Sequence, residues 1–592
     1  MQVNRYDEDE KNTTFNISIL KRSLKYLKPY YKQLCFVLLI SFIANILSLF
    51  LPKLLQYMID DIIPEKNFNS VIKIAIFSLY IVIISIILDY IKSRILNKVK
   101  EYIAYDLKSD IFIHLQYLPN QYYDTRPHGK ILTRATSYAS SVAQCLCNSL
   151  LETIIEIINL IFVIIFMLSY HVPLTLFVLT FAVIITILFI KLTPKRIKRQ
   201  HTVNNKSANV NAYVVESING ISITQAYNRE TKNEEIIKKL EQERINSVKE
   251  ALPYINYSWA IAYGSSNIVN VCIYILGIFF FYPQTSIGTI IAIGNYSGRF
   301  WNPIRNISSI YGEMMDAITY LERIFELLDE PLIIENIEKP NTKNINGKIE
   351  FKNVSFSYID EIPVLENLNF KIEQNQTVAI VGETGSGKST IINLLARYYD
   401  IDKGSILIDD IPLQEFELGS LRSQINVMLQ DNYLFSKSIF ENITYGKRDA
   451  KLEDVIKVCK EIQIHDWIIS LKDGYNTILH NNGKEISTGQ KQLICFARTI
   501  IANPKILILD EATSNVDLKT EKLVQNGLHK LFKNRTSIII AHRLSTITEC
   551  DKIMLLKNKS IYESGTHQEL MNKKGEYYKL YTSQLQYKTN KK

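Results

Sequence analysis

Four long apolar stretches in the first third of the sequence constrain the fold more than any other feature. They lie at about residues 34–59, 71–95, 147–168 and 173–192. Each reaches the roughly 20 residues that a helix needs to cross a lipid bilayer. Two weaker stretches, 257–282 and 285–307, contain Ser, Asn, Gly and Arg, so hydropathy alone leaves them open. The sequence therefore predicts an α-helical membrane domain.

The distribution of charge predicts how this domain is oriented. The chain has 592 residues and a net charge of +9, and its Lys and Arg residues cluster in segments 96–142 and 193–255. The short segments between the other apolar stretches carry a single lysine, Lys66. Because positive loops stay on the cytoplasmic side, both termini are expected in the cytoplasm of a multi-pass protein of the cell membrane. This clustering argues against a nucleic-acid partner.

A basic amphipathic stretch precedes the first apolar run. Residues 23–33 read SLKYLKPYYKQ, which is typical of a helix that lies on the membrane surface in contact with lipid. The seven cysteines form no CxxC pair and no metal-ligand spacing. They therefore predict neither a disulfide framework nor a metal site.

The second half of the chain has a different pattern. After a charged linker at 326–345, short apolar runs alternate with helix-like segments, as in a parallel α/β sheet. The runs TVAIV (377–381), KILIL (505–509) and TSIIIA (536–541) are typical of strands buried on both faces. We therefore expect residues 346–592 to form a soluble α/β domain.

A phosphate-binding loop follows the first of these strands. The sequence GETGSGKST fits G-x-x-x-x-G-K-[ST] between a predicted strand and a predicted helix. Its residues are Gly382, Glu383, Thr384, Gly385, Ser386, Gly387, Lys388, Ser389 and Thr390. In such loops backbone N–H groups surround phosphates, so ATP is the expected ligand. Lys388 is expected to reach the β- and γ-phosphates, and the Ser389 hydroxyl to bind Mg²⁺.

A pair of carboxylates ends the strand KILIL. Asp510 is expected near the Mg²⁺ ion, as in other P-loop NTPases. Glu511 is the next residue, positioned to polarise the attacking water. An alternative is that either acid merely caps a helix, but a DE pair downstream of a P-loop favours catalysis.

Together these motifs resemble the ATP-binding cassette (ABC) transporters of the exporter type. In the membrane half, residues 115–136 (LQYLPNQYYDTRPHGKILTRAT) and 218–230 (INGISITQAYNRE) resemble the two cytoplasmic loops of that family. The resemblance implies six membrane helices over residues 34–325 behind an N-terminal segment, 1–33. It also implies an ABC-class P-loop NTPase at 346–592, short coupling helices at the loop tips, and fourth and fifth helices that reach across to a partner subunit.

The resemblance assigns further residues of the ATP site. Tyr358, in VSFSY, matches the aromatic residue that stacks on adenine, although a plain surface tyrosine is the alternative. Gln430, in MLQDNYLF, matches the glutamine that contacts Mg²⁺ and water. His542, in IIIAHRLST, matches the histidine that contacts the γ-phosphate. Asp517, in SNVD, matches a loop that crosses to the opposite nucleotide site.

The sequence ISTGQ (486–490) resembles the family's LSGGQ signature, in which Ser487, Gly489 and Gln490 complete the ATP site of the partner subunit. Thr488 replaces a glycine, and a β-branched residue restricts the backbone. Asn481 stands where the family usually has a glutamate. An altered signature beside an intact P-loop and Glu511 favours a heterodimer with one hydrolysing site. A homodimer that tolerates threonine is the alternative.

The substrate is predicted only by class. Glu152, Glu156 and Asp89 lie in apolar stretches, where acids suit cationic amphipathic substrates, although pairing with basic residues is slightly favoured. In the sixth stretch several large side chains either line a cavity or pack: Tyr296, Arg299, Phe300, Trp301 and Arg305. We expect ATP-driven export of a hydrophobic or amphipathic drug, lipid or small peptide. An importer such as a siderophore uptake protein, or a dedicated peptide exporter, is the alternative.

Overall fold

The computed structural model describes the chain in eight segments. These are residues 17–332, 341–359, 361–428, 433–480, 482–510, 525–528, 530–540 and 547–589. The chain forms two compact units. The first comprises Met1–Tyr117 and Arg126–Glu330, and the second comprises Leu118–Thr125 and Pro331–Lys592. A short piece of the amino-terminal half, Leu118–Thr125, therefore belongs to the carboxy-terminal unit.

The described α-helices are numbered here in chain order. They are α1 (Ile17–Ser23), α2 (Tyr31–Tyr57), α3 (Phe68–Tyr117), α4 (Asn120–Thr125), α5 (His128–Thr133), α6 (Ala139–Gln144), α7 (Leu150–Tyr170), α8 (Val172–Asn219), α9 (Ile221–Ala226), α10 (Glu230–Trp259), α11 (Ser265–Leu276), α12 (Ile287–Leu328), α13 (Lys388–Leu395), α14 (Leu418–Gln424), α15 (Ile439–Thr444), α16 (Leu452–Glu461), α17 (His465–Ser470), α18 (Thr488–Ala502), α19 (His567–Lys573) and α20 (Glu576–Thr589). Helix α4 alone of the first twelve lies in the second unit.

The first unit is built from long helices. Four helical runs within the described residues are long and apolar enough to cross a membrane: Lys28–Ile62, Phe68–Tyr117, His128–Tyr170 and Val172–Asn219. The run Ser265–Phe281 is apolar but shorter. Helix α3 leaves large apolar side chains such as Ile76, Phe77 and Ile86 more than half exposed. Such an apolar surface is suited to lipid, since helices satisfy their own backbone groups there.

The helices pack around an apolar core that includes Leu49, Val163, Met167 and Val269. Beyond the predicted spans, α8 and α10 form an antiparallel hairpin. Arg199 Nη1 on α8 lies 2.5 Å from Glu250 Oε2 on α10. Further along α8, Lys206 Nζ lies 2.8 Å from Glu243 Oε2 on α10. Helix α9 forms the tip of this hairpin. These two ion pairs join α8 to α10 along the hairpin.

The second unit contains two sheets. The strands are β1 (Ile349–Ile359), β2 (Ile362–Ile372), β3 (Thr377–Val381), β4 (Lys403–Ile408), β5 (Ile411–Pro412), β6 (Ile425–Met428), β7 (Ile506–Asp510), β8 (Thr536–Ile540), β9 (Lys552–Lys557) and β10 (Ser560–Gly565). A four-stranded antiparallel sheet has the order β2-β1-β4-β5, and a six-stranded sheet has the order β10-β9-β3-β8-β7-β6. In the larger sheet all pairs from β9 to β6 are parallel.

The larger sheet is buried on both faces, as its short apolar strands predict. Side chains alternate along each strand. Leu507 and Leu509 therefore join one core, against α18, whereas Ile506 and Ile508 join the other, against α13 and the smaller sheet. The strand order places the loops that follow β3, β7 and β8 at neighbouring positions along one edge of the sheet.

Candidate active site

The phosphate-binding loop connects β3 to α13. Gly387, the residue before α13, has a φ of 101°, and a Cβ there would lie 2.9 Å from the Leu365 side chain. A Cβ at Gly382 would collide with the carbonyl oxygen of Leu556. Both positions therefore require glycine, the first for its left-handed backbone and the second for its close approach.

Lys388 lies at the start of α13, with its amino group inside the loop. Nζ donates hydrogen bonds to the carbonyl oxygens of Gly382 at 3.0 Å and Glu383 at 2.8 Å. The side chain is buried. Nearby, the buried hydroxyl of Ser386 has no hydrogen-bond partner among the described residues. A buried lysine, an unpartnered hydroxyl and a helix amino terminus together form a concave site suited to an anion such as phosphate.

The structure brings together two of the three predicted metal-binding residues. The Ser389 hydroxyl donates to Asp510 Oδ2 at 3.3 Å, although the two residues are 121 positions apart in sequence. They meet because β3 and β7 are parallel and flank β8, so that their carboxyl ends lie at one edge of the sheet. This edge is where α/β sheets bind ligands.

The third predicted metal-binding residue, Gln430, lies outside the described residues, as do Glu511, His542, Asp517 and Asn481. Three of them lie within two residues of the end of a described strand in the sequence. Gln430 comes two residues after β6, Glu511 one residue after β7, and His542 two residues after β8. Their predicted roles therefore stay predictions.

The donor set suits a magnesium ion. Mg²⁺ prefers oxygen ligands and commonly uses one or two protein groups together with phosphate oxygens and water. Ser389 and Asp510 provide one hydroxyl and one carboxylate next to the phosphate loop. Within the described residues no cluster of three His, Cys, Asp or Glu side chains forms a metal site. The Ser389 hydroxyl and the Asp510 carboxylate are therefore suited to a Mg²⁺ ion that binds together with a nucleotide.

Tyr358 lies at the end of β1, beside α13. Asn393 Nδ2 donates to its hydroxyl at 3.0 Å, and the hydroxyl donates to Thr390 Oγ1 at 3.3 Å. The side chain is 39 % exposed. The structure therefore holds this ring next to the phosphate loop and leaves part of it open for stacking.

The predicted signature turn is the amino terminus of α18. The Ser487 hydroxyl accepts a hydrogen bond from the Gln490 backbone N–H at 3.2 Å, and Gln490 Oε1 accepts one from the Ser487 N–H at 2.9 Å. These two bonds form a capping box. Thr488 is the first helical residue and is exposed, whereas Gly489 is buried.

The structure shows the backbone geometry of Thr488. This residue is helical and has no positive φ. The threonine therefore adds a side chain to the exposed face of the turn rather than strain to its backbone.

Comparisons with known proteins agree with this geometry. Residues 34–304 match the ABC transporter transmembrane region, and residues 365–514 match the ABC transporter family. The chain is 34 % identical over 584 residues to the uncharacterized ABC transporter ATP-binding protein YknV of Bacillus subtilis (strain 168), covering 95 % of this chain and 94 % of the relative. The chain belongs to the ABC transporter family.

Two further comparisons extend over the whole ABC transporter. A second Bacillus subtilis (strain 168) protein, named "Putative multidrug export ATP-binding/permease protein YgaD", is 32 % identical over 590 residues, covering 96 % of this chain and all of the relative. A solved structure of a bacterial Atm1-family ABC exporter with ATP bound superposes with a TM-score of 0.80 at 24 % identity, covering 94 % of this chain and 98 % of the other.

The family settles several predictions. The predicted fold class, a helical exporter-type membrane region followed by an ABC-class P-loop domain, is confirmed. The domain binds ATP, and the protein is an ABC ATPase coupled to transport. It is a multi-pass membrane protein.

The intramembrane residues of this ABC transporter are arranged mainly for packing. Tyr296, Phe300 and Trp301 are buried in the core of the first unit, and the Tyr296 hydroxyl donates to the Leu49 carbonyl oxygen at 2.7 Å. Arg299 donates to the Ser48 hydroxyl at 2.8 Å. These positions support the packing alternative within one chain. The Arg305 side chain lies outside the described structure.

The acids of the membrane segments have different surroundings. Asp89 forms an ion pair with Lys92 at 3.1 Å, which is the pairing that the sequence slightly favoured. On α12, Glu313 accepts a hydrogen bond from the Ser149 hydroxyl at 2.5 Å. Sequence reasoning missed Glu313 because it lies beyond the predicted sixth span.

Sequence reasoning also missed two features of the nucleotide-binding unit. The capping box of α18 could have been recognised from the pattern S-x-x-Q ahead of an apolar run. The bond between Tyr399 and Asp124 had no local signal, because the two residues are 275 positions apart.

Proposed function

We propose that this chain is one subunit of an ATP-driven exporter of hydrophobic or amphipathic compounds in the cytoplasmic membrane. The observation that carries the proposal is the phosphate loop, in which Lys388 is buried and Ser389 lies 3.3 Å from Asp510. This arrangement is suited to Mg²⁺-dependent ATP hydrolysis. It lies in a chain that also contains four helical runs able to cross a membrane.

The proposed chemistry assigns one role to each residue. Ser389 and Asp510, with Gln430, would hold Mg²⁺, which supplies positive charge at the phosphates. Lys388 neutralises charge that develops on the β- and γ-phosphates. Glu511 orients the attacking water and accepts its proton, and His542 donates a hydrogen bond to the γ-phosphate. Tyr358 stacks on the adenine ring.

The test of this assignment is Glu511→Gln. The amide cannot accept the proton of the attacking water, so steady-state ATP hydrolysis should fall about 100-fold or more, while ATP binding stays within about threefold. ATPase activity and equilibrium binding on the purified transporter measure the two effects. Retained turnover would contradict the role of Glu511.

The proposed assembly is a dimer of half-transporters. The tip of the α8–α10 hairpin has large apolar side chains that are exposed in the single chain. They are Ile218 (65 % exposed), Ile221 (48 %), Ile223 (67 %) and Tyr227 (75 %). An apolar loop tip of this kind suits docking on a partner subunit. The signature turn of α18 is likewise exposed at Ser487 and Thr488, where the second nucleotide domain would bring its γ-phosphate.

We favour a heterodimer because of Thr488 and Asn481. Both depart from the family pattern in the half-site that this chain would lend, whereas the motifs of its own P-loop are intact. Purification of the tagged chain from native membranes should recover a second ABC subunit with an intact signature and no catalytic glutamate. Recovery of this chain alone, as an active dimer, would favour the homodimer.

The proposed export of a drug-like substrate is supported by the name of a relative. The relative YgaD has multidrug export in its name, and 34 % identity to another relative leaves room for a different substrate. Transport assays in inside-out vesicles test direction, since an exporter accumulates substrate inside them. Accumulation in right-side-out vesicles would instead support an importer, such as a siderophore uptake protein.

We also propose that both termini and the nucleotide-binding unit face the cytoplasm. The support is the excess of Lys and Arg in segments 96–142 and 193–255. Cysteines introduced in the α8–α10 hairpin should stay unlabelled by an impermeant maleimide in intact cells. Labelling from outside would contradict this topology.

A further inference from the structure

Three aromatic rings lie together beside the phosphate loop. The rings of Phe356 and Tyr358, from β1, are 4.9 Å apart and nearly perpendicular. The ring of Tyr399, which follows α13, lies 5.0 Å from Tyr358 at 90° and 5.7 Å from Phe356 at 66°. Edge-to-face contacts at these distances favour one relative orientation of the rings. The orientation of Tyr358 is therefore coupled to that of Tyr399.

The outer end of Tyr358 is fixed by the phosphate-loop helix. Its hydroxyl accepts a hydrogen bond from Asn393 and donates one to Thr390, and both residues belong to α13. Tyr358 therefore contacts the phosphate-loop helix through its hydroxyl and Tyr399 through its ring. A nucleotide base that stacks on Tyr358 would act on both contacts at once.

The hydroxyl of Tyr399 reaches a different part of the chain. It donates a hydrogen bond to Asp124 Oδ2, on α4. Burial and this bond raise the pKa of Tyr399, so the hydroxyl keeps its proton and stays a donor. Helix α4 belongs to the same compact unit, in which Leu118 and Tyr122 are 5 and 2 % exposed.

Helix α4 is joined at both ends to the long helical unit. The segment Leu118–Thr125, which contains α4, directly follows Tyr117, the last residue of α3. The next residue after the segment, Arg126, forms an ion pair with Glu330 at 3.2 Å within the first unit. A change in the position of α4 is thus passed to α3 through covalent bonds. A hydrogen bond to a carboxylate is among the stronger polar contacts, so it can carry a coupling energy.

We propose that Tyr399 is a positioning residue that couples the occupancy of the base site at Tyr358 to Asp124 of α4. The coupling responds mainly to the base, because the base would stack on the Tyr358 ring that Tyr399 contacts. Binding of a base orders the rings and strengthens the Tyr399–Asp124 bond. By linkage, an intact bond strengthens base binding by the same factor. The inference rests on the proposed role of Tyr358 as the adenine platform.

The test compares ADP with inorganic pyrophosphate, two ligands that are not hydrolysed by this site and differ in the nucleoside. Binding to the purified full-length transporter is measured for the wild type, Tyr399→Phe, Asp124→Ala and the double variant. Each single variant should weaken ADP binding about fivefold, the lower end of usual coupling factors. The double variant should be no weaker than the single ones, and pyrophosphate binding should stay within about twofold.

Two controls separate coupling from a general loss of structure. Tyr398→Phe removes the hydroxyl of the neighbouring tyrosine, whose ring faces the Arg422 guanidinium at 5.5 Å, and should leave ADP binding unchanged. Asp124→Asn keeps an oxygen acceptor and should restore at least half of the lost affinity. Equal weakening of ADP and pyrophosphate, additive effects in the double variant, or no effect of Tyr399→Phe would each overturn the proposal.

A second measurement addresses α4 directly. ADP should slow amide hydrogen exchange over residues 118–125 in the wild type and in Tyr398→Phe, but not in Tyr399→Phe. Pyrophosphate should have no such effect. Tyr358→Ala tests the underlying assignment separately: if it binds ADP as tightly as the wild type, the adenine platform is wrong, whatever Tyr399 does.

Discussion

Two helix amino termini in the nucleotide-binding unit are suited to phosphate, and they differ in how complete they are. At α13 the loop, the buried Lys388 and the Ser389–Asp510 pair come from one chain. At α18, the Ser487 hydroxyl is bonded only within its own capping box among the described contacts, and Thr488 is exposed. The α13 site has the groups that it needs to bind a nucleotide within one chain. The α18 turn has hydrogen-bond donors but lacks a phosphate loop and its lysine.

The difference shows how a local motif can depend on a second subunit. A helix amino terminus has partial positive charge wherever it occurs, but this charge is too small to hold a triphosphate without a cation. In the proposed assembly, helix α18 therefore contributes to a site only when another P-loop is brought to it. The predictions below test that contrast, in order of decreasing effect.

The largest effect is expected for Lys388→Ala. The loop loses the only side-chain cation shown here to lie inside it, so ATP hydrolysis should fall about 1000-fold. Lys491→Ala, beside the α18 turn, is the matched control and should keep at least half of the activity. Measurement of ATPase rates on both purified variants decides the comparison, and equal losses would contradict it.

The next effect concerns thiol reactivity in the α18 turn. Thr488→Cys, in a Cys35→Ser background, should react with maleimide at pH 7.5 roughly 300-fold faster than the native Cys459, from thiolate fractions alone. Burial raises the pKa of Cys459 to about 11 and that of Cys550 to about 12, so their thiolate fractions are very small below about pH 9.

The same labelling reports on the second subunit. The labelling rate of residue 488 should rise with pH, with the midpoint of the rise at about pH 8.5, where an exposed thiol is half ionised. ATP with Mg²⁺ should protect it if the turn closes on another P-loop. Protection that is absent in the assembled transporter would contradict a shared nucleotide site.

A smaller effect is expected when the Ser389–Asp510 pair is changed. Ser389→Ala removes one oxygen ligand, and the Mg²⁺ concentration for half-maximal ATPase activity should rise about 10- to 100-fold, as for other changes around bound metals. Chelation by EDTA should abolish hydrolysis in the wild type. Ser423→Ala, which removes an exposed hydroxyl on α14, serves as the control, with an unchanged Mg²⁺ requirement. If Ser389→Ala requires the same Mg²⁺ concentration as the wild type, the assignment of Ser389 as a Mg²⁺ ligand is wrong.

The smallest effects separate Ser487 from Thr488. Ser487→Ala removes the cap and one phosphate donor, whereas Ser487→Thr keeps both. A tenfold fall in ATP turnover for Ser487→Ala alone would mean that the turn completes a working site, as in the homodimer. In the proposed heterodimer this site hydrolyses little, and Thr488→Gly should change turnover by less than about twofold. A tenfold rise in turnover for Thr488→Gly would instead indicate a homodimer with impaired sites.

Much of the nucleotide site could be predicted because its signals are local. The phosphate loop is nine consecutive residues after a strand, and β3, β7 and β8 have the apolar runs expected of buried strands. The first four membrane segments could be predicted because lipid demands about 20 apolar residues in succession. Helix α12 was less clear because it continues from Ile287 to Leu328, with buried aromatic residues among polar ones.

The consequence of Thr488 could not be judged from sequence. A glycine-to-threonine change has opposite meanings at a left-handed residue and at the first residue of a helix. The structure shows the helical case. The backbone at residue 488 therefore does not require glycine, while the question of which partner faces the turn stays a proposal.

The sequence by itself determined that this protein binds ATP and crosses a membrane, since both properties reside in uninterrupted segments whose chemistry needs no distant neighbour. Only the tertiary structure decided that Ser389 meets Asp510 and that Tyr399 bonds to Asp124, 275 positions away. Contacts of this kind depend on strand order and on the burial of side chains across the whole unit. No local pattern contains that information.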